Sequence, residues 1–194
     1  MADAAPKLMT AEEFLAWQQA QEERYELVDG VPVLMRSLEM MTGASGVHDR
    51  IVTNVIAALH VQLRGSRCRP TTADISLRTK IRSFRRPDVT VTCDPPKGDI
   101  YEALEPRLVI EVLSPSNAGV GWERKMAEYR RHAKLDYILL IDAQVMAVTL
   151  HQRTKTGWDD VNADVHDDVL AMPKLKCKLS MAEIYDGTGL GGPG

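Results

Sequence analysis

Two carboxylates, Asp88 and Glu111, stand inside apolar and β-branched runs, Pro87-Asp88-Val89-Thr90-Val91 and Leu108-Val109-Ile110-Glu111-Val112-Leu113. A charge in such surroundings is costly unless it has a partner or a task. Lys125 follows within a basic stretch that also carries Arg124, Arg130 and Arg131. Two acids on neighbouring strands with a lysine close behind suggest a site for a hard cation. Mg²⁺ prefers oxygen donors in octahedral geometry and keeps several waters, so one or two carboxylates can suffice.

The elements that must hold these groups are readable from periodicity and punctuation. Thr10-Ala11-Glu12-Glu13 is a capping box opening a short helix to about Gln19, with Phe14 and Trp17 on its apolar face. Asp29-Gly30, between the β-rich runs from Arg24 and to Met35, predicts a hairpin. Ser37 to Gly46 reads as loop. Ile51, Val55, Ala58, Leu59 and Leu63 recur at helical spacing from about His48 to Arg64. A strand is expected from Thr71 to Lys80, a turn over Arg82 to Arg85, and a strand from Pro87 to Thr92. Cys93 to Pro106 reads as a loop rich in proline and acid.

Arg107 to Leu113 is nearly continuous Leu, Val and Ile around Glu111, the pattern of a strand covered on both faces. A helix from Gly121 to His132 follows, then strands from Asp136 to Ile141 and from Val145 to Gln152. Weaker strands are expected over Trp158 to Val161 and Val169 to Lys176. Ser180-Met181-Ala182-Glu183 is a second capping box. The order predicts one α/β domain over residues 1–194, a mixed sheet with helices on its faces, with 1–8 and 187–194 as flexible ends.

Composition bounds what this fold does. A hydrophobic share of 44% and a charged share of 26% are those of a soluble globular chain, and no apolar run is long enough to span a bilayer. The N-terminus lacks a signal-peptide core, so a cytoplasmic protein without membrane contact is expected. Cys68, Cys93 and Cys177 form no paired framework and read as free thiols in a reducing compartment. A net charge of −3 argues against a protein that coats nucleic acid indiscriminately. It leaves room for a local basic path, and positive charge concentrates at Arg78 to Arg86 and at Arg124 to Lys134.

The ordered set Tyr25-Glu26-Leu27-Val28-Asp29-Gly30, His48, Arg86-Pro87-Asp88-Val89, Glu111-Val112-Leu113-Ser114-Pro115-Ser116, Lys125, Tyr129 and Tyr137-Ile138-Leu139-Leu140-Ile141-Asp142 spans nearly the whole chain. It resembles the Uma-type family of restriction endonucleases, within the PD-(D/E)XK nuclease superfamily. The resemblance implies a restriction-endonuclease-like αβββαβ core, a central mixed sheet flanked by helices, with additional β-hairpins. It implies metal-dependent phosphodiester hydrolysis of nucleic acid, above all DNA, and a homo-oligomer, with a dimer favoured.

By the same resemblance, Asp88, Glu111 and the Val112 carbonyl bind Mg²⁺ or Mn²⁺. Lys125 serves the attacking water or the phosphate, and Glu26 supports the site. His48, at a helix N-terminus, joins Arg86 and Arg124 as candidate substrate contacts. The chain departs from the superfamily pattern at Leu113, where a lysine two residues after the glutamate is expected; Lys125 on the next helix is the candidate replacement. A second departure is Gly121, where the family usually has aspartate. Each group also has a structural reading: a strand-end cap for Asp88, a buried ion pair for Glu111, a solvated helix lysine, a hairpin glutamate, a core histidine. The rival function is a non-catalytic binding or assembly protein that keeps the fold over a degenerate site.

Overall fold

The computed structural model describes residues 8–35, 45–94, 101–113 and 121–190. Helix α1 (Ala11–Gln18) starts on the expected capping box: Glu13 N–H donates to Thr10 Oγ1 at 3.2 Å and Thr10 N–H to Glu13 Oε2 at 2.8 Å. Strands β1 (Tyr25–Val28) and β2 (Val31–Leu34) form the expected hairpin. Its loop residues Asp29 and Gly30 both take positive φ, 49° and 87°, as a two-residue loop matched to strand twist requires. A Cβ at Gly30 would also come within 2.9 Å of Leu8.

Helix α2 (Ser45–Leu63) buries Ile51, Val55, Leu59 and Leu63, four residues apart and therefore on one stripe. Strands β3 (Arg69–Thr72), β4 (Leu77–Lys80), β5 (Ser83–Arg85), β6 (Val89–Thr92) and β7 (Pro106–Leu113) follow. Then come helix α3 (Gly121–Arg131) and strands β8 (Tyr137–Asp142), β9 (Val148–Arg153) and β10 (Trp158–Ala163). A two-stranded ribbon, β11 (Val169–Met172) with β12 (Cys177–Ser180), precedes α4 (Met181–Tyr185), which opens on the second capping box.

The main sheet has the order β10-β9-β8-β7-β6-β3 and a smaller sheet the order β2-β1-β5-β4. All main-sheet pairs are antiparallel except β7 with β8, the parallel pair that the crossover helix α3 connects. Elements α2, β3, β6, β7, α3 and β8 thus give the expected αβββαβ order, with β4 and β5 inserted. Strand β7 is covered on both faces. Leu108, Ile110 and Val112 belong to the large core with α2, whereas Val109 packs in the cluster of Met126, Tyr129 and Ile138 beneath α3. Glu111 shares the parity of Val109 and therefore faces α3.

Four expectations are corrected. The strand read over Thr71 to Lys80 is two strands in different sheets, and the turn read over Arg82 to Arg85 contains β5. The strand read over Val169 to Lys176 stops at Met172, and a short 3₁₀ turn, Pro173–Leu175, leads into an unexpected β12. Cys68 and Cys93 are not free thiols but form a disulfide, while Cys177 is free and buried. The register that pairs Arg69 with Thr92 sets the two cysteines opposite each other one step on.

The loop read over Ser37 to Gly46 and the turn after Leu113 lie largely outside the described residues. So do much of the Cys93 to Pro106 loop and parts of the expected flexible ends. Among the described residues no helix is long and apolar enough to cross a membrane.

Candidate active site

Val89 of β6 pairs with Ile110 of β7, so the register carried one step on sets Asp88 beside Glu111. Asp88 Oδ2 accepts the Val112 N–H at 2.7 Å, which fixes the carboxylate at the mouth of the sheet. From the other side His48, in the first turn of α2, brings Nε2 to 3.4 Å from Asp88 Oδ1. Burial disfavours charge on this imidazole, but hydrogen bonding to Asp88 and the charges of Asp88, Asp49 and Glu111 outweigh it and raise its pKa. The structure therefore sets His48 against an acid rather than in an apolar core.

Glu111 is 3% exposed. Tyr129 Oη donates to its Oε1 at 2.6 Å, and Lys125 Nζ lies 2.8 Å from Oε1 and 3.0 Å from Oε2. Lys125 and Tyr129 are one helical turn apart on α3 and so reach the same carboxylate. Burial, and next to it the neighbouring Asp88, pushes the Glu111 carboxyl up to about 7 against the pull of Lys125. Lys125 keeps its proton: burial opposes its charge, but Glu111, Glu26 and Asp88 outweigh it and raise its pKa.

Glu26 on β1 completes the cluster, with Oε1 3.3 Å from Lys125 Nζ. The Arg86 N–H donates to Glu26 Oε1 at 3.0 Å and Arg85 Nη1 to Oε2 at 2.9 Å. Burial would raise this carboxyl, but Lys125 and Arg85 win and hold it below the usual range.

Behind Glu26 stands an ion pair that the sequence did not announce. Arg85 Nε donates to Glu128 Oε2 at 2.7 Å, and Glu128 also accepts from Thr79 at 2.9 Å and meets Lys80 at 3.2 Å. Burial works against the Glu128 charge, yet these donors, Arg85 foremost, bring its carboxyl down to about 2. Glu128 is the one acid among the basic residues of the last two turns of α3, which is the signal that could have marked it. Tyr129 was within the recognised pattern without a task; its spacing from Lys125 gives it one.

The candidate substrate contacts divide. Arg124 lies at the rim, its guanidinium meeting Asp29 and, at 3.4 Å, Glu128. Arg86 is buried, and its guanidinium donates to the carbonyls of Tyr25, Ala73 and Asp74, so it braces β1 and the β3–β4 connection. Leu113 holds the position at which the superfamily pattern has lysine, and Lys125 reaches the Glu111 carboxylate from α3 instead.

The description "Uma2: Putative restriction endonuclease" matches residues 11–182, which covers all of these groups. The chain belongs to this family. Among the relatives of this chain, the uncharacterized protein slr1290 of Synechocystis sp. is 28% identical over 185 residues, covering 94% of this chain and 93% of that one. Protein sll1609 of the same organism is 30% identical over 159 residues, covering 79% and 85%. The crystal structure of a putative nuclease belonging to DUF820, from Anabaena variabilis, superposes with a TM-score of 0.71 at 18% identity, over 93% of this chain and 99% of that one. The likeness to that structure establishes the shared fold, and family membership places the Uma2 chain among nucleases.

Proposed function

We propose that the chain is a Mg²⁺- or Mn²⁺-dependent endonuclease that hydrolyses phosphodiester bonds of DNA. The observation that carries this reading is the convergence of Asp88, Glu111 and Lys125, the last two 2.8 Å apart, in a member of a nuclease family. The donor set fits a hard divalent cation. Two carboxylates lie side by side, and a cation between them would stabilise the Glu111 charge that burial, and after it the neighbouring Asp88, disfavours. Among the described residues no three His, Cys, Asp or Glu side chains converge on one point, so the protein would supply two carboxylates and the Val112 carbonyl, and water the rest.

When bound, the cation would lower the pKa of a water and offset charge on the phosphodiester. The chain's own residues do the remainder. Tyr129 holds Glu111 in one orientation. Glu26, anchored by Arg85 and the Arg86 N–H, holds the Lys125 ammonium at the carboxylates, where its fixed charge stabilises the phosphate as negative charge develops. His48, next to Asp88, contacts substrate phosphate, and Arg124 extends that contact along the rim.

The test is titration of Mn²⁺ into the wild type and Glu111→Ala, with nicking of supercoiled plasmid measured on the same samples and on Lys125→Ala. Binding and nicking both lost in Glu111→Ala, with nicking alone lost in Lys125→Ala, is the expected result. One observation favours the alternative, a non-catalytic scaffold: Lys125 already engages both Glu111 oxygens, at 2.8 and 3.0 Å. Absence of Mn²⁺ binding in the wild type would decide for that alternative.

A further inference from the structure

The loop between β4 and β5 consists of Ile81 and Arg82, since Lys80 pairs with Ser83. Ile81 is 85% exposed, the highest value among the large exposed apolar side chains of the described residues. A β-branched residue is a poor choice for such a loop. Two-residue hairpin loops favour Asn, Asp and Gly at positive φ, as Asp29-Gly30 shows in the neighbouring hairpin. Neither Ile81 nor Arg82 adopts positive φ, and the strands are accommodated by a register shift between Arg78 and Lys80. A side chain that neither packs nor suits its turn is the kind of local conflict that accompanies function.

Ile81 is flanked by two cationic side chains. Lys80 lies 3.7 Å from the exposed Asp29 and 3.2 Å from Glu128, and the Arg82 side chain makes no ion pair among the described residues. The tip is braced: Gly30 N–H donates to the Arg82 carbonyl at 2.8 Å, so the two hairpin loops lie side by side. It is also tied to the candidate active site. Lys80 meets Glu128 at 3.2 Å, Glu128 meets Arg85 at 2.7 Å, Arg85 meets Glu26 at 2.9 Å, and Glu26 meets Lys125 at 3.3 Å. An apolar point between two cations, on a braced hairpin at the rim of a phosphodiester site, has the chemistry of a side chain that enters between base pairs while its neighbours hold the phosphates.

We propose that Ile81 is a wedge that inserts between stacked base pairs of duplex DNA, with Lys80 and Arg82 on the flanking phosphates. The inference rests on the reading of the chain as a DNA nuclease and adds how duplex is engaged. Insertion opens a base step and bends the helix, which brings a backbone phosphate towards Asp88 and Glu111. Single-stranded substrate has no stacked pair to open and does not need the wedge.

The experiment uses the full chain with Ca²⁺ and a short duplex carrying 2-aminopurine opposite thymine, a probe that brightens when unstacked. Duplex nicking and single-strand cleavage are then measured with Mn²⁺. Wild type is expected to brighten the probe. Ile81→Ala and Ile81→Asn are expected to abolish the brightening and to slow duplex nicking by about tenfold. Single-strand cleavage, Mn²⁺ affinity and melting temperature are expected to stay at wild-type values, because the side chain supports no core. Ile81→Met should restore most of the signal.

Unchanged duplex nicking in Ile81→Asn, or nicking by wild type without brightening, would overturn the wedge and leave the nuclease reading intact. Brightening that depends on Ile81 in a chain that never nicks would support the wedge and sink phosphodiester hydrolysis. Failure of wild type to bind duplex would overturn the wedge.

Discussion

The Tyr129 hydroxyl donates to Glu111 Oε1 at 2.6 Å from one helical turn beyond Lys125, so a single face of α3 supplies both a neutral donor and a cation to one buried carboxylate. The phenol stays protonated, since burial first, then Glu111 and Glu26, push its pKa well above the ordinary value. It thus limits the Glu111 orientations while adding no charge. Tyr129→Phe is expected to cost about 1–2 kcal/mol of stability, the loss of a buried hydrogen bond to a charged group. It should slow plasmid nicking while leaving Lys125 in place, and raise the pH at which Mn²⁺ binds. A variant with wild-type nicking and an unmoved pH profile would show that the contact is purely structural.

Metal binding and proton release should be linked at Glu111. Its carboxyl titrates at about 7 in the free protein, against an ordinary value of 4.5, so below pH 7 a bound cation must displace a proton. Apparent Mn²⁺ affinity is expected to rise with pH and level off above about 8, and at pH 6 to lie about tenfold below that plateau. Calorimetry in buffers of different ionisation enthalpy should report proton release that fades at high pH. The same shift has a sign for folding. A raised folded-state pKa contributes stability below pH 4.5 that is lost as pH rises through 7, so the metal-free protein should lose stability across that window and regain it with Mn²⁺. Affinity independent of pH between 6 and 8 would remove Glu111 from the ligand set.

Glu128 has the opposite sign. Its carboxyl is held near 2 instead of 4.5, chiefly by Arg85 once burial is overcome, so its contribution is present above pH 4.5 and disappears as pH falls through 2. Glu128→Gln keeps the shape but leaves Arg85 with a weaker partner, and about 2 kcal/mol is expected to be lost at neutral pH. Thermal melts from pH 7 to pH 2 should show the variant converging on wild type in acid. Because Arg85 also anchors Glu26, and Glu26 holds Lys125, nicking should fall as well, whereas Mn²⁺ affinity should hardly change. Parallel melting curves at all pH values would mean that the ion pair adds nothing to stability.

What the sequence revealed of this site follows from the range over which each signal acts. Glu111 was visible because one acid interrupts a run of buried Leu, Val and Ile, and the helix partners Lys125 and Tyr129 are fixed by local spacing. Arg85 and Arg86 read only as part of a basic concentration, with Arg86 a candidate substrate contact. Their burial depends on β5, a three-residue strand whose Ser83-Phe84-Arg85 carries no alternating pattern of its own. The partner of Arg85 lies on α3, so only the packing of the small sheet against that helix makes the pair. Cys68 and Cys93 were likewise hidden, since nothing short of the β3–β6 register places them together. Strand β12 escaped because lysines surround Cys177, and only its alternation of buried and exposed residues against β11 identifies it.

Helix α3 begins at Gly121, where the resemblance leads one to expect aspartate, and this departure is testable on its own. Glycine at a helical position costs about 0.5–1 kcal/mol in backbone entropy, and a carboxylate in the first turn adds about 0.3–1 kcal/mol through the helix dipole. Among the described residues a Cβ at this position meets no atom within 4 Å, and the backbone is not in the left-handed region, so none of these residues opposes the change sterically. Glu123 already places one negative charge in that turn, and its repulsion trims the gain. Gly121→Asp is therefore expected to stabilise the protein by about 1 kcal/mol, seen as a rise in melting temperature of about 2–4 °C. Lys125 lies one turn further along the same helix, so firmer helix ends should also tighten the Lys125–Glu111 contact. Plasmid nicking by Gly121→Asp is expected to equal or exceed that of wild type. A lower melting temperature would instead show that the new carboxylate competes with Asp88 and Glu111 for the cations of the site, a result that ion-pair screening with added salt would identify.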